Sequence, residues 1–390
     1  MSRTILFFFS QPLFDAGGVG RVSETLACQM LQAGQRCIFV SLKNDKAREH
    51  PDIPQIMLPD RKPGSDENKI FLRSLIEKEG VDVILNQSGL NLPILKLMRS
   101  VSDLVPVINV HHNCVMGLLE CHGSIVTESM KRKGFPAIFR NPVVLKLLRL
   151  RAYSRMRKAI RQAAAGGRTL VFLFDSFLEE ARLIAGETSR PAMHVINNPC
   201  PYRPKPTVLE NKKKKILYVG RIEYAQKRLD RLCCVWNEVS SDLTDWSLEI
   251  VGDGPDAPRL LEWIKNSAVP RVNYHGRRES RSFFEEASLL LLTSDFEGSP
   301  MVLAEAQAMG CVPISTRSFT AIDEAILDGK TGVICELLDE DSLQAELLKL
   351  ARSVDIRRAM ADAAIGHVKT FSAKKITADW LQLIESKIKE

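Results

Sequence analysis

The sequence of 390 residues is too long for one ordinary hydrophobic core and fits two domains. Hydrophobic residues make up 45% and charged residues 26%, an ordinary globular balance, and no apolar run approaches the ~20 residues that a membrane-spanning helix needs. The formal net charge is +7, and the nine cysteines are scattered without C-x-x-C spacing, which disfavours a metal site or disulfide framework and suits reduced thiols in a cytosol.

Residues 5–9 are a short apolar run leading into a glycine-rich turn. They read as a first strand, not as the longer apolar region of a signal peptide. A helix is expected over 22–31 with Gly34 as its stop, then a strand over 37–41. A helix over 71–79, a strand over 81–85, a helix over 92–98 and a strand over 105–110 follow. Continuous apolar strands alternating with helices predict a parallel sheet covered on both faces.

The middle of the chain is basic. From Met130 to Phe174 there are twelve Lys or Arg and no Asp or Glu, so an anionic partner is expected there. Within it, residues 142–161 place Leu145, Leu148, Ala152, Met156, Ala159 and Ile160 on one helical face. An anionic membrane surface contacted through residues 131–161 and an ordinary domain helix with a solvated basic face are both open.

Residues 199–215, with Pro199, Pro201, Pro204 and Pro206 before Lys212 to Lys215, read as a linker. The alternation then restarts. Strands are expected over 216–219, 247–251, 272–274, 289–293 and 312–315, and helices over 229–239, 259–265, 282–287, 301–309 and 343–350. The last segment puts Ile376, Trp380, Leu383, Ile384 and Ile388 on one helical face, with Ser372 as its N-cap.

The most informative stretch runs from Asp295 to Glu305. Ser299 is a good N-cap, Pro300 a good first helical residue and Gly310 a good stop, so a short helix starts at the C-terminal edge of a parallel strand. Such a helix end suits a pyrophosphate, while Glu297 and Glu305 can accept sugar hydroxyls on either side of it. A capping and surface pair of glutamates is the bland reading.

Glu297 and Glu305, with seven residues between them, match the E-x7-E signature of retaining glycosyltransferases of family 4, and EGSPMVLAEAQAMGCVPIS resembles that family's donor loop and helix. The resemblance is strong over 216–333, clear over 7–41 and weak between 114 and 192. It implies an α/β GT-B fold: two Rossmann-like doubly wound domains facing across a cleft. Residues 1–203 would form an acceptor-side domain and 211–370 a nucleotide-sugar domain, with a helix over 371–390 crossing back.

By the same resemblance Arg221, after Gly220, and Lys227 hold the donor pyrophosphate with Gly298, Ser299, Pro300 and Met301. Together such cations neutralise a leaving group as its charge develops. Glu297 would orient the sugar and Glu305 the ribose. Gly252 belongs to a second glycine turn, and Arg277 would meet the base through its backbone. In the first domain Gly17 and Gly18 would lie near the donor phosphates, and His111, directly after its strand, would hydrogen-bond the sugar, with His112 as the alternative. Where the family has Gly-Gly before a later glutamate, this chain has Ser318 to Ala321 ahead of Glu324, a departure in the sugar pocket.

The reaction implied is hexosyl transfer, with retention, from a nucleoside diphosphate sugar (UDP-linked by resemblance) to a hydroxyl of a glycan or lipid-linked acceptor, in cell-surface polysaccharide or lipopolysaccharide synthesis. No metal or other cofactor is expected, and Asp339-Glu340-Asp341 reads as a helix cap. The expected location is the cytoplasm, at the inner face of the membrane. A nucleotide-sugar epimerase, a phosphorylase and a silent sugar-binding relative are the alternatives. Nucleic acid is not expected, since the basic stretch offers only Phe135, Phe139 and Tyr153 as aromatic platforms.

Overall fold

The computed structural model describes residues 2–11, 17–42, 50–120, 141–165, 168–186, 193–204, 209, 211–267 and 269–389. The chain forms two compact units. The first comprises Met1–Val115, Leu147–Pro201 and Ala373–Glu390, and the second Met116–Lys146 and Tyr202–Ser372.

The first unit contains β1 (Thr4–Phe9), α1 (Gly17–Gln32), β2 (Arg36–Ser41), β3 (Gln55–Met57), α2 (Asp66–Glu79), β4 (Val83–Asn86), α3 (Leu92–Arg99) and β5 (Val107–His111). Helix α4 (Val115–Glu120), apart from Val115, and the start of α5 (Pro142–Ala164), as far as Lys146, fall in the second unit; the first continues through the rest of α5, β6 (Thr169–Phe172), α6 (Asp175–Ala185) and β7 (Met193–Val195). The seven strands form one sheet in the order β3-β2-β1-β4-β5-β6-β7, and every pairing is parallel.

Strand β1 shows why helices cover both faces. Its alternate residues Ile5, Phe7 and Phe9 join a core with Leu26 and Met30 of α1 and with Ile376, Trp380, Leu383 and Ile384 of the C-terminal helix, Ala373–Lys389. Leu6 and Phe8 join another core with Leu72 and Ile76 of α2 and with Ile94 and Leu97 of α3. A period of two sends neighbours to opposite faces, and each such side chain fully buried is worth ~1.5–3 kcal/mol. The helical face expected for 372–390 is therefore a core face.

Sequence pattern and structure differ in places. Helix α1 begins five residues before its expected start, so Gly17 and Gly18 lie in its first turn. Of the elements given so far, β3, α4, β6, α6 and β7 have no counterpart in the sequence pattern. Strand β3 is a three-residue edge strand, half-buried, and too short to show a period.

The second unit contains β8 (Lys213–Val219), α7 (Tyr224–Lys227), α8 (Leu229–Val239), β9 (Ser247–Val251), α9 (Ala257–Asn266), β10 (Val272–Tyr274) and α10 (Arg281–Glu286). It continues through β11 (Ala287–Leu292), α11 (Met301–Ala308), β12 (Val312–Thr316), α12 (Ile322–Ala325), β13 (Val333–Cys335), α13 (Glu340–Arg352), α14 (Val354–His367) and a 3-10 turn, Val368–Phe371. Its six parallel strands run β10-β9-β8-β11-β12-β13. The strand order reverses between β8 and β11. At such a switch point the loops leaving the two strands diverge to opposite faces and leave a crevice, where open α/β sheets bind ligands.

The start of α11 is a correction. Pro300 is the N-cap and Met301 the first helical residue, without a side-chain cap bond, one position later than the Ser299 cap expected. Gly310 does follow the helix at φ 64°, the left-handed value for which glycine is suited.

Candidate active site

Two loops leave the second sheet at its switch point. One follows β8 through Gly220 and Arg221 into α7, and the other follows β11 through Thr293 to Ser299 into α11. They are joined by a buried ion pair. Lys227 Nζ donates to Glu297 Oε1 at 2.5 Å, and Ser294 Oγ donates to the same oxygen at 2.5 Å. The side chains are 16% and 6% exposed.

A network around the pair fixes its geometry. The Asp295 amide donates to Gln226 O at 2.9 Å, and Gln226 Nε2 donates to Phe296 O at 3.2 Å. Thr293 Oγ1 donates to the carbonyls of Lys227 and Arg228, each at 3.1 Å. Arg228 has φ 51°, a left-handed value costly for a non-glycine residue. Its guanidinium binds Asp230 and Asp295, which hold it there. Arg231, almost fully buried, reaches Asp295 at 3.1 Å and Thr293 O at 2.8 Å. The Glu297 amide donates to Ser318 O at 2.9 Å, tying in the loop after β12.

The structure brings Gly220, Arg221, Lys227, Gly252, Arg277, Glu297, Gly298, Ser299, Pro300 and Met301 to one edge of this sheet, in the loops after β8, β9, β10 and β11. Arg221 is exposed and ion-paired with Glu223. Glu305 is fully buried in α11. The glycines have a packing reason of their own. A Cβ on Gly252, which has φ 143°, would stand 1.8 Å from Gly220 O, and one on Gly254 would stand 2.3 Å from Ile222 O. The two glycines let the β9 loop lie flat against the β8 loop, where the Gly220 and Ile222 amides donate to Val251 O and Asp253 O at 3.0 and 3.1 Å.

The loop carrying Arg277 is anchored from below. Burial opposes ionisation of Glu249 on β9. Hydrogen bonds from Ser247, His275 and Asn273 outweigh it and hold the carboxyl below its usual range.

In the first unit the switch point lies between β1 and β4. Gly17 and Gly18 are exposed at the start of α1, and a Cβ on either would meet nothing within 4 Å. His111 is the last residue of β5, not the first after it, and is 5% exposed. Its ring stands edge-on to Phe172, with centroids 6.0 Å apart. Among the described residues its Nε2 has no hydrogen-bond partner. Burial pushes its imidazole down to about 4, and burial together with the neighbouring His111 pushes His112 down to about 3. Both are neutral at neutral pH. His112 Nε2 lies 2.8 Å from Gln87 Oε1. Gly89, at φ 56°, lets the loop after β4 cross His111, since a Cβ there would stand 3.0 Å from His111 Nδ1.

Sequence reasoning missed Ser294, Gln226, Arg228 and Asp295 as parts of this site, and it placed Ser318 in the sugar pocket without its bond to the Glu297 amide. The only signal was that Asp295 and Arg228 adjoin Glu297 and Lys227; their bonds join segments far apart in sequence. Among the described residues no group of three or more His, Cys, Asp or Glu could hold a metal ion, and no helix is long and apolar enough to cross a membrane. Of the basic segment 131–161, residues 131–140 lie outside the described residues.

Residues 213–353 match the family model of the group 1 glycosyl transferases. The amylovoran biosynthesis glycosyltransferase AmsD of Erwinia amylovora is 28% identical over 45% of this chain and 50% of its own. An N-acetyl-D-galactosaminyltransferase of Campylobacter jejuni, whose name gives a glycan on PP-undecaprenol, is 25% identical over 44% of this chain and 48% of its own. The chain thus spans about half the length of such curated relatives. Among solved structures, HepE of Anabaena in complex with UDP-glucose superposes with a TM-score of 0.71 at 13% identity, covering 98% of this chain and 99% of that one. The chain has the α/β GT-B fold, with two doubly wound parallel sheets.

Proposed function

We propose that this chain is a retaining glycosyltransferase of the family 4 type. It would move a hexosyl unit from a UDP-linked sugar to a hydroxyl of a glycan or lipid-linked acceptor, in cell-surface polysaccharide or lipopolysaccharide synthesis. The observation that carries the reading is the Lys227–Glu297 pair held between the two switch-point loops of the domain that matches the group 1 family. A diphosphate needs fixed cations, and a sugar needs a fixed carboxylate; the network supplies both without reorganisation during the reaction.

Lys227 and Arg221 are each paired with a glutamate in this structure. The incoming pyrophosphate replaces those glutamates as the cations' partner, leaving Glu297 to accept hydroxyls of the sugar. Amides near Ser299 and Met301 add donors at the start of α11, beside Gly298 and Pro300. Gly220 and Gly252 keep the loop backbones close, Arg277 meets the base and Glu305 the ribose. In the first unit Gly17 and Gly18 keep the role that the resemblance gives them, near the donor phosphates, and the neutral His111 that of a hydrogen-bond partner of the donor sugar. A neutral imidazole can share a hydrogen bond with a hydroxyl without adding charge. The leaving phosphate takes the acceptor proton, so no protein base and no metal is assigned.

Contact with an anionic membrane at the cytoplasmic face is part of the proposal. The apolar face expected for α5 is half-buried from Leu145 to Met156 and buried at Ala159 and Ile160; the exposed stripe on the helix is instead Val143, Leu147 and Leu150, 66%, 60% and 60% exposed, among Lys146, Arg149, Arg151 and Arg155. Flotation with anionic liposomes and none with neutral ones is the expected result; flotation unchanged by Leu147→Glu with Leu150→Glu would remove this part.

The test of the main reading is incubation of the full chain with labelled UDP-hexoses and a panel of glycan and lipid-linked acceptors. Label moving to the acceptor with the donor's anomeric configuration supports it. Epimerised donor, or sugar 1-phosphate formed from a glycan, points to the epimerase or phosphorylase alternative. Absence of turnover with tight donor binding points to a silent relative.

A further inference from the structure

At the opposite edge of the second sheet, where β8, β11 and β12 begin, lies a cavity of about 250 Å³ that the proposed donor site does not use. Among the described residues four cations line it, Lys212, Lys214, Arg357 and Arg358, and no carboxylate does. Two periodicities gather them. Around the start of β8, Lys213 and Lys215 turn to Glu286 at 3.0 and 2.7 Å, so Lys212 and Lys214, sharing the other face, turn to the cavity. On α14 the lining residues Val354, Arg357, Arg358 and Ala361 fall at i, i+3, i+4 and i+7, one helical face.

Among the described residues Lys214 is paired with Asp245, Lys212 feels the charge of Glu285 without an ion pair to it, and Arg357 and Arg358 have no carboxylate partner. Lys212 Nζ donates to the carbonyls of Phe284 and Ala287 at 2.7 and 2.8 Å, and burial pushes its ammonium down to about 8. Arg357 donates to the carbonyls of Leu350 and Ala351 and stacks over Trp246 at 5.0 Å. Lys212 and Arg357 are half-buried with carbonyls as their hydrogen-bond partners, Arg358 is exposed beside them, and an anion among the three adds the opposite charge that carbonyls do not supply. The N-terminal end of α14, capped by Ser353, adds to the positive potential.

We propose that this cavity binds a small phosphate-bearing anion, either inorganic phosphate or a hexose monophosphate, at a site separate from the proposed donor site. Guanidinium and ammonium groups on several sides match the oxygens of a phosphate. The apolar wall of Val312, Val354 and Ala361 gives a sugar-sized ester something to pack on.

The experiment is calorimetric titration of the full chain with inorganic phosphate and, separately, with glucose 1-phosphate. At least one should bind in the millimolar range or tighter. Binding should weaken about tenfold in Lys214→Glu with Arg358→Glu. Arg358→Ala alone, an exposed change, should show a smaller loss if the double variant does not fold. Tighter binding of the ester assigns the hexose monophosphate, and equal binding assigns the phosphate group alone. Lys227→Ala should leave this binding intact, which separates it from failure or success of the donor assignment. No binding of either probe, unchanged affinity in Arg358→Ala, or affinity abolished by Lys227→Ala overturns the proposal.

Discussion

The C-terminal edges of the two sheets are built alike in topology and differently in chemistry. In the second unit the switch-point loops carry a buried ion pair, braced by bonds from Ser294, Gln226, Thr293 and Arg228. In the first unit the corresponding edge carries two exposed glycines at the start of a long helix and two neutral histidines. The second edge therefore holds fixed charges, while the described part of the first holds neutral groups. The contrast lies in what each loop bonds to before any ligand arrives.

The sharpest way to break this contrast is Lys227→Ala. Transfer should fall about a thousandfold in kcat/KM. The fold should lose ~3 kcal/mol, because Glu297 stays buried without its partner. Lys227→Met combined with Glu297→Gln should recover most of that stability in urea unfolding while activity stays lost. Full activity in a folded Lys227→Ala protein would falsify the donor assignment.

Gly252→Ala should cost ~3 kcal/mol, since the new methyl meets Gly220 O at a φ of 143°. Donor affinity should fall with it, because the displaced backbone is that of the β8 loop. A denaturation midpoint equal to the parent's would show that the two loops are not locked together.

The first edge should reveal itself through pH. A histidine buried as the neutral form has its folded pKa below its unfolded value, so the unfolded chain binds the extra proton. The stability it contributes is fully present above about 6.5 and is lost as pH falls toward the folded value of about 4 for His111. The expected slope is ~1.4 kcal/mol per pH unit for each such histidine. His111→Gln should flatten the curve in that window, and an unaltered curve would mean that the ring is solvated.

The smallest effect is expected at the glycines of α1. Gly18→Ala, with open space around it, should change stability by less than ~0.5 kcal/mol. Gly17→Ala, at φ 56°, should cost ~1 kcal/mol. If either raises the donor KM without a matching loss of stability, the open turn serves the donor.

Periodicity over a few residues was enough to read much of the fold. Continuous apolar strands, a helix between each pair and the Trp380 face of the last helix follow from rules that act within one or two turns of chain. Edge strands such as β3 escaped because three half-buried residues carry no period. Glu297 and Lys227 stood out by motif and by position after strands. Their union did not, because they are 70 residues apart and meet only through the strand order β8-β11. The start of α11 shifted by one residue for a related reason, since Ser299 makes no cap bond there. The glycines divide in the same way. Gly252 looked like a ligand turn, and only the neighbouring loop revealed that a methyl group there would collide with backbone. Local sequence sets which residues can form a strand or a helix start, because those choices depend on neighbours along the chain. Which charge is buried against which, and which cations gather at the far edge of the sheet, was decided by the tertiary structure, because Coulomb energy and desolvation depend on distance in space.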